Sequence, residues 1–201
     1  MTAIIDYDAG NIKSVEKALL ALGEEAIITR DPQILLEADH VILPGVGSFG
    51  DAMGKLCHYG LVEIIKQIVQ KGTPFLGICL GLQLLFRSSD ESPGVEGIGI
   101  LDGEIVSIPP KEGYKIPHMG WNSIEIKEGA GLFRGIENQS YVYFVHSYYL
   151  KADHPEDVAA TTDYIVPIHA SVEHGNVFAC QFHPEKSGDV GLQILRNFCD
   201  L

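Results

Sequence analysis

Two hydrophobic rhythms alternate along the first part of the chain. Thr2–Ile5 is a short apolar run that enters the turn Asp6-Tyr7-Asp8-Ala9-Gly10. Asn11 opens a helix in which Ile12, Val15, Leu19 and Leu22 recur at helical spacing, and Gly23 ends it. Ala26–Thr29 reads as a second strand and residues 41–43 as a third, broken by Pro44-Gly45. The stretch from about 51 to 71 is helical, with Leu61, Ile64, Ile65 and Ile68 on one face, Gly60 as a candidate break and Gly72 as the stop. Residues 74–78 form an almost wholly apolar fourth strand. Continuous apolar strands alternating with amphipathic helices predict a parallel sheet covered on both faces.

The second part changes character. From Glu104 onward the segments are strand-like, with residues 141–150 rich in aromatic and β-branched side chains. Residues 165–172 and 176–182 flank His174-Gly175, a hairpin signal. A last helix runs over residues 189–199. The pattern predicts an α/β fold whose C-terminal half is rich in antiparallel strands. No repeat or low-complexity linker divides it, so residues 1–201 are expected to be a single domain.

Charge narrows the partners. Twenty-seven acidic against 14 basic side chains leave a formal net charge of −13, with no basic stripe to neutralise phosphates, so a nucleic-acid partner is not expected. Most of that charge reads as a solvated surface, and it also suits a partner with a basic face. No apolar run approaches the roughly 20 residues of a membrane span. No signal peptide is visible at the N-terminus, and Cys57, Cys79, Cys180 and Cys199 lack metal-type spacing. These features point to a cytoplasmic protein with free thiols and no metal or cofactor.

The sharpest chemical signal is Gly77-Ile78-Cys79-Leu80-Gly81, at the end of an apolar strand and before a helical stretch over 80–86. This is the nucleophile-elbow pattern with Cys in place of Ser. A sulfur there would sit at a helix N-terminus, where partial positive charge favours thiolate, and the Leu80 amide could receive an oxyanion. A buried structural Cys between strand and helix is the competing reading. Cys57, Cys180 and Cys199 lack such a context and read as packing residues. A thiol nucleophile needs a base and an orienter. Gln181-Phe182-His183-Pro184-Glu185 supplies both, with His183 at a strand end, a rigid turn at Pro184 and Glu185 within reach of the imidazole. His146, in Phe144-Val145-His146-Ser147-Tyr148, is the competing base and is expected in a cleft wall. Pro44-Gly45-Val46-Gly47-Ser48-Phe49-Gly50 lacks the ending of a P-loop; it reads either as a second oxyanion donor or as an ordinary tight connection.

Together these pieces resemble the class I, triad-type glutamine amidotransferases, on Gly-Ile-Cys-Leu-Gly-Leu-Gln at 77–83 and Phe-His-Pro-Glu-Lys-Ser at 182–187. The resemblance covers nearly the whole chain and extends to His118-Met119-Gly120-Trp121-Asn122 and to 143–149. It implies a flavodoxin-like fold with a mostly parallel sheet. It also implies glutaminase chemistry on L-glutamine: Cys79 as nucleophile, His183 as proton shuttle, Glu185 as orienter, and Leu80 with Val46 or Gly47 as oxyanion donors. Gln83, Glu91 and Ser147 match substrate-binding positions. Ammonia would then pass to a separate (β/α)8 cyclase subunit in a heterodimer. His118 to Asn122, with Met119 and Trp121 among them, together with Asn11 and Lys186, match partner-facing positions. Trp121 also admits a core reading. A cysteine peptidase and a catalytically silent module are the alternatives from other classes.

Overall fold

The computed structural model describes residues 1–201. In chain order the elements are β1 (Thr2–Ile5), α1 (Ile12–Ala21), β2 (Ala26–Thr29), α2 (Pro32–Glu37), β3 (His40–Leu43), α3 (Phe49–His58), α4 (Leu61–Gln70), β4 (Phe75–Ile78) and α5 (Leu80–Leu84). Then follow β5 (Ser88–Ser89), β6 (Gly103–Ser107), β7 (His118–Ser123), β8 (Glu125–Ile126), β9 (Tyr141–His146), β10 (Tyr148–Ala152), β11 (Val158–Tyr164), β12 (Val166–His174), β13 (Val177–Cys180) and α6 (Gly188–Cys199).

One sheet carries the molecule, in the order β2-β1-β3-β4-β13-β12-β10-β6-β5, with β11 and β8 attached beside β12. The strands from β2 to β13 are parallel. Beyond β13 the ladder turns antiparallel through β12, β10 and β6. β7 and β9 form a separate antiparallel ribbon.

Side-chain alternation along the parallel strands makes two cores. Ala3, Ile5, Val41 and Leu43 point to the face covered by α3, α4 and α5. Ile4, Ile42, Leu76 and Ile78 point to the opposite face, under α1 and α6. A strand with both faces buried is apolar at nearly every position, which is why β1, β3 and β4 read as near-continuous apolar runs after Thr2 and His40.

The 51–71 stretch is two helices, divided at Gly60 as its position suggested, with Gly60 capping the second in a left-handed conformation. Other expectations are revised. The six-residue α2 is too short to show a helical period and leaves no such signal in the sequence. Residues 141–150 are not one strand. They divide at Ser147, so β9 pairs with β7 while β10 joins the main sheet. Cys57 is exposed rather than packed, because Phe49, Ala52, Met53 and Leu56 carry the buried face of α3. No helix is long and apolar enough to cross a membrane.

Candidate active site

The site lies at the C-terminal edge of the parallel strands, where β4 and β13 run side by side with Ile78 opposite Cys180. That edge is the usual ligand-binding edge of an open α/β sheet. Cys79 leaves β4 with φ 54° and ψ −107°, a conformation that non-glycine residues rarely adopt. Its amide donates to the Cys180 carbonyl at 2.8 Å, which locks the turn onto the neighbouring strand. The flanking glycines are needed for close approach. A Cβ on Gly77 would lie 2.7 Å from the Gly81 carbonyl oxygen, and one on Gly81 would run into the Leu43 carbonyl.

His183 follows β13 and is 2% exposed. Its amide donates to Tyr143 at 2.9 Å. Ser187 secures the same turn: its hydroxyl donates to the His183 carbonyl at 2.7 Å and accepts the Tyr143 amide at 2.9 Å. His183 Nδ1 lies 2.8 Å from Glu185 Oε1, and both side chains are sealed from solvent. Asn11 Nδ2 donates to that same oxygen at 3.1 Å. His183 Nε2 has no formed hydrogen bond. Burial by itself favours the neutral imidazole. The Cys79 sulfur and the Glu185 carboxylate outweigh it and raise the His183 pKa. At His183 this arrangement favours the imidazolium, held against the Glu185 carboxylate.

His146 is the poorer base on geometry and on charge. Its Nδ1 donates to the Tyr148 carbonyl at 2.8 Å, and its Nε2 faces His118 Nδ1 at 2.9 Å. The carbonyl can only accept, so His146 Nε2 is the acceptor and His118 Nδ1 the donor. Both rings are held neutral. Burial, reinforced by the neighbouring His118 and His183, depresses His146 to about 3, and burial lowers His118 to about 4.

A cavity of about 380 Å³ opens over the sulfur and is lined by Val46, Gly47, Cys79, Leu80, Gln83, Glu91, Pro117, Val145, His146, Ser147, Tyr148 and His183. The structure thus brings Cys79, His183, Leu80, Val46, Gly47, Gln83, Glu91 and Ser147 to one cavity, with Glu185 behind His183. The amides of Val46, Gly47 and Leu80 donate to no acceptor within the protein. Glu91 Oε2 accepts the Phe49 amide at 2.7 Å, which ties the start of α3 to the cavity wall. No cluster of three or more His, Cys, Asp or Glu side chains is arranged to hold a metal ion.

Two further residues shape the site in roles that no sequence pattern assigned to them. Tyr7 is buried and donates its hydroxyl to the Pro44 carbonyl at 2.8 Å. A Cβ on Gly45 would lie 2.6 Å from that hydroxyl, so Tyr7 and Gly45 fit one another at the root of the 44–50 loop. Ser187 is the second; only tertiary contact reveals its role.

The residues expected at a partner surface separate. Met119 and Trp121 are 62% and 55% exposed, which decides against a core role for Trp121. Lys186 is exposed too. His118 points inward, because successive residues of β7 face opposite sides; it stacks between Phe144 and Tyr164 at ring separations of 4.7 and 4.0 Å. Asn11 is exposed yet committed to Glu185 and Ser14.

The sequence signature described as "Glutamine amidotransferase class-I" matches residues 3–201. The chain belongs to the class-I glutamine amidotransferase family. Among its relatives is "Imidazole glycerol phosphate synthase subunit HisH" of Methanothermobacter thermautotrophicus, 51% identical over 201 residues, covering 100% of this chain and 98% of that one. The protein of the same name from Methanocaldococcus jannaschii is 48% identical over 202 residues, with 100% of both chains covered. Solved structures agree on the fold. A glutamine amidotransferase crystal structure superposes with TM-score 0.77 at 20% identity, covering 98% of this chain and 97% of that one. A chain of PurLQS from Thermotoga maritima does so with TM-score 0.75 at 20% identity, covering 99% and 97%.

Proposed function

We propose that this chain is the glutaminase subunit of an imidazole glycerol phosphate synthase, and that Cys79, His183 and Glu185 carry its chemistry. The observation behind the chemical assignment is the meeting of a positive-φ cysteine on β4 with a carboxylate-held histidine at the end of adjacent β13.

The steps follow from the charge state. Cys79 thiolate adds to the side-chain carbonyl carbon of L-glutamine. The developing oxyanion takes hydrogen bonds from the Leu80 amide and from Val46 or Gly47. As the C–N bond breaks, His183 gives its proton to the leaving nitrogen and ammonia departs, leaving a thioester on Cys79. Water then attacks the thioester while His183 accepts a proton from it. Collapse of the second tetrahedral intermediate releases glutamate and returns thiolate and imidazolium. Glu185 holds the imidazole in register throughout, with Asn11 on the same carboxylate oxygen. Gln83, Glu91 and Ser147 line the cavity where the substrate's amino-acid end would sit.

Ammonia passes to a cyclase subunit of (β/α)8 fold, which forms imidazole glycerol phosphate and aminoimidazole carboxamide ribotide in histidine biosynthesis. Exposed Met119 and Trp121 on β7, with Lys186 beside the triad, support a heterodimer interface on this face. The four free thiols suit a reducing cytoplasm. The test is co-purification with the cyclase, followed by glutamate release with and without the cyclase's nucleotide ligand. We expect turnover that depends on partner and ligand and disappears in Cys79→Ala. Glutamate release that persists in Cys79→Ala refutes the triad, and failure of the two chains to associate refutes the synthase.

A further inference from the structure

Gln181 lies two residues before His183 and is completely buried. Its Nε2 donates toward Cys79 Sγ at 3.7 Å. Its Oε1 accepts from Gln83 Nε2 at 3.1 Å, and that same nitrogen donates to the Tyr148 carbonyl at 3.2 Å. A backbone carbonyl can only accept. Tyr148 therefore fixes which end of the Gln83 amide faces it, and Gln83 in turn fixes Gln181. Turning the Gln181 amide over would set its NH2 against the NH2 of Gln83. The polarity of the chain leaves one outcome: an N–H aimed at the nucleophilic sulfur.

Building on the triad assignment, we propose that Gln181 is a positioning residue that stabilises the thiolate of Cys79, its amide polarity set by the relay from the Tyr148 carbonyl through Gln83. The sulfur has one opposing contact. The Val145 carbonyl, at 3.9 Å, can be approached only by a protonated thiol, so it favours the neutral form. The Gln181 N–H is closer and favours the anion, since a hydrogen bond to the charged form of a group stabilises that form. The other ionisable groups around the sulfur are His183 and Glu185 from the turn after β13, Cys180 on β13, Tyr7 beyond β1, His146 on β9 and Glu91 across the cavity. Of these, the His183 imidazolium supplies the main favourable charge. Gln181 adds a dipole that does not itself titrate.

The readout is the rate at which iodoacetamide alkylates Cys79, followed by mass spectrometry of its peptide from about pH 5 to about pH 9, a range in which activated thiols ionise. The intact chain is compared with Gln181→Met, which keeps the length and removes the donor, and Gln181→Asn, which keeps an amide but withdraws it from the sulfur. We expect both variants to move the inflection up by about one pH unit, a tenfold loss of thiolate on the acid side. In the complex, kcat at neutral pH should fall about as much while KM for glutamine holds. Variants that fold with an unshifted alkylation profile overturn the proposal. So does a drop in activity confined to KM, which would make Gln181 a substrate-site residue acting through Gln83. The alkylation profile needs neither glutamine nor partner, so it stands apart from the functional assignment. A wild-type chain that shows the shift-sensitive profile yet never releases glutamate refutes the glutaminase reading and leaves this inference intact.

Discussion

At the scale of single residues, the site divides its histidines by hydrogen-bond polarity. His183 has a carboxylate on Nδ1 and the sulfur beyond Nε2, and its pKa is raised. His146 has both nitrogens committed within the protein and its pKa is depressed. The expected outcome is that His183→Asn lowers glutaminase turnover on the order of 10²–10⁴-fold, the range of acid–base catalysis, with Glu185→Gln milder because Asn11 still holds residue 185. Steady-state glutamate release by the activated complex checks both; a His146→Asn variant more damaged than His183→Asn would reverse the assignment. The neutral pair also sets an acid limit on stability. The folded-state values of His118 and His146, about 4 and about 3, lie below the ordinary 6.5, so the unfolded chain binds more protons than the folded one between those values. Their stabilising contribution is therefore complete above about 6.5 and is lost as pH falls toward 4 and 3. Denaturant unfolding across that window should show stability falling with acid, with a shallower slope in His146→Gln.

At the scale of elements, the elbow and the donor loop differ in freedom. Cys79 is pinned by a ladder bond and by glycines pressed against β3 and α5. The 45–47 loop is pinned only at its root, where Tyr7 holds Pro44, while Val46 and Gly47 are exposed. Gly47 has φ 101°, and a Cβ there would meet nothing within 4 Å. A substitution at 47 is thus strained by backbone conformation and not by crowding. If Val46 or Gly47 donates to the oxyanion as proposed, a peptide rotation in this loop would supply or withdraw that donor, an effect of roughly 10²–10³ in turnover. We expect Gly47→Ala to remove most of the partner's activation of glutamate release while lowering thermal stability only modestly, since the strain is local to one exposed peptide. Activation that survives in Gly47→Ala would move the switch away from the loop.

At the scale of the whole molecule, the cavity, the donor loop and the β7–β9 ribbon share one edge of the sheet. Trp121 stands on the outside of that ribbon and packs against Tyr143 at a ring separation of 6.2 Å. His118, three residues earlier on the same strand, reaches inward to His146 in the cavity wall. One short ribbon therefore touches both solvent and site. Trp121→Ala should weaken binding of the cyclase by about 2 kcal/mol or more, as a truncated aromatic anchor does. Titration calorimetry with the cyclase measures it, and an unchanged affinity would remove Trp121 from the interface. Glutamine-analogue alkylation of Cys79 in the isolated variant should match wild type, since Trp121 lies outside the cavity lining.

Local pattern alone determined a good deal here. The short apolar runs of β1, β3 and β4, set between amphipathic helices, pointed to strands buried on both faces, and Gly77-Ile78-Cys79-Leu80-Gly81 carried its strand–turn–helix geometry in its own spacing. Glu185 lies two positions from His183, so their pairing was legible as well. The signals that failed are those with no local cause. Nothing in Tyr-Val-Tyr-Phe-Val-His-Ser-Tyr-Tyr-Leu marks Ser147 as the point where the chain changes sheets, because no Gly or Pro stands there. α2 is capped by Asp31 and carries Pro32 in its first turn, but its six residues hold too little period to register. Cys57 was misjudged because its exposure depends on the phase of α3 against the sheet. Asn11, Tyr7, Ser187 and Gln181 entered the site only through tertiary contact, across separations of up to 174 positions. Their hydrogen bonds depend on strand order, and strand order is decided when the parallel sheet closes β13 against β4, not by any residue's neighbours in the chain.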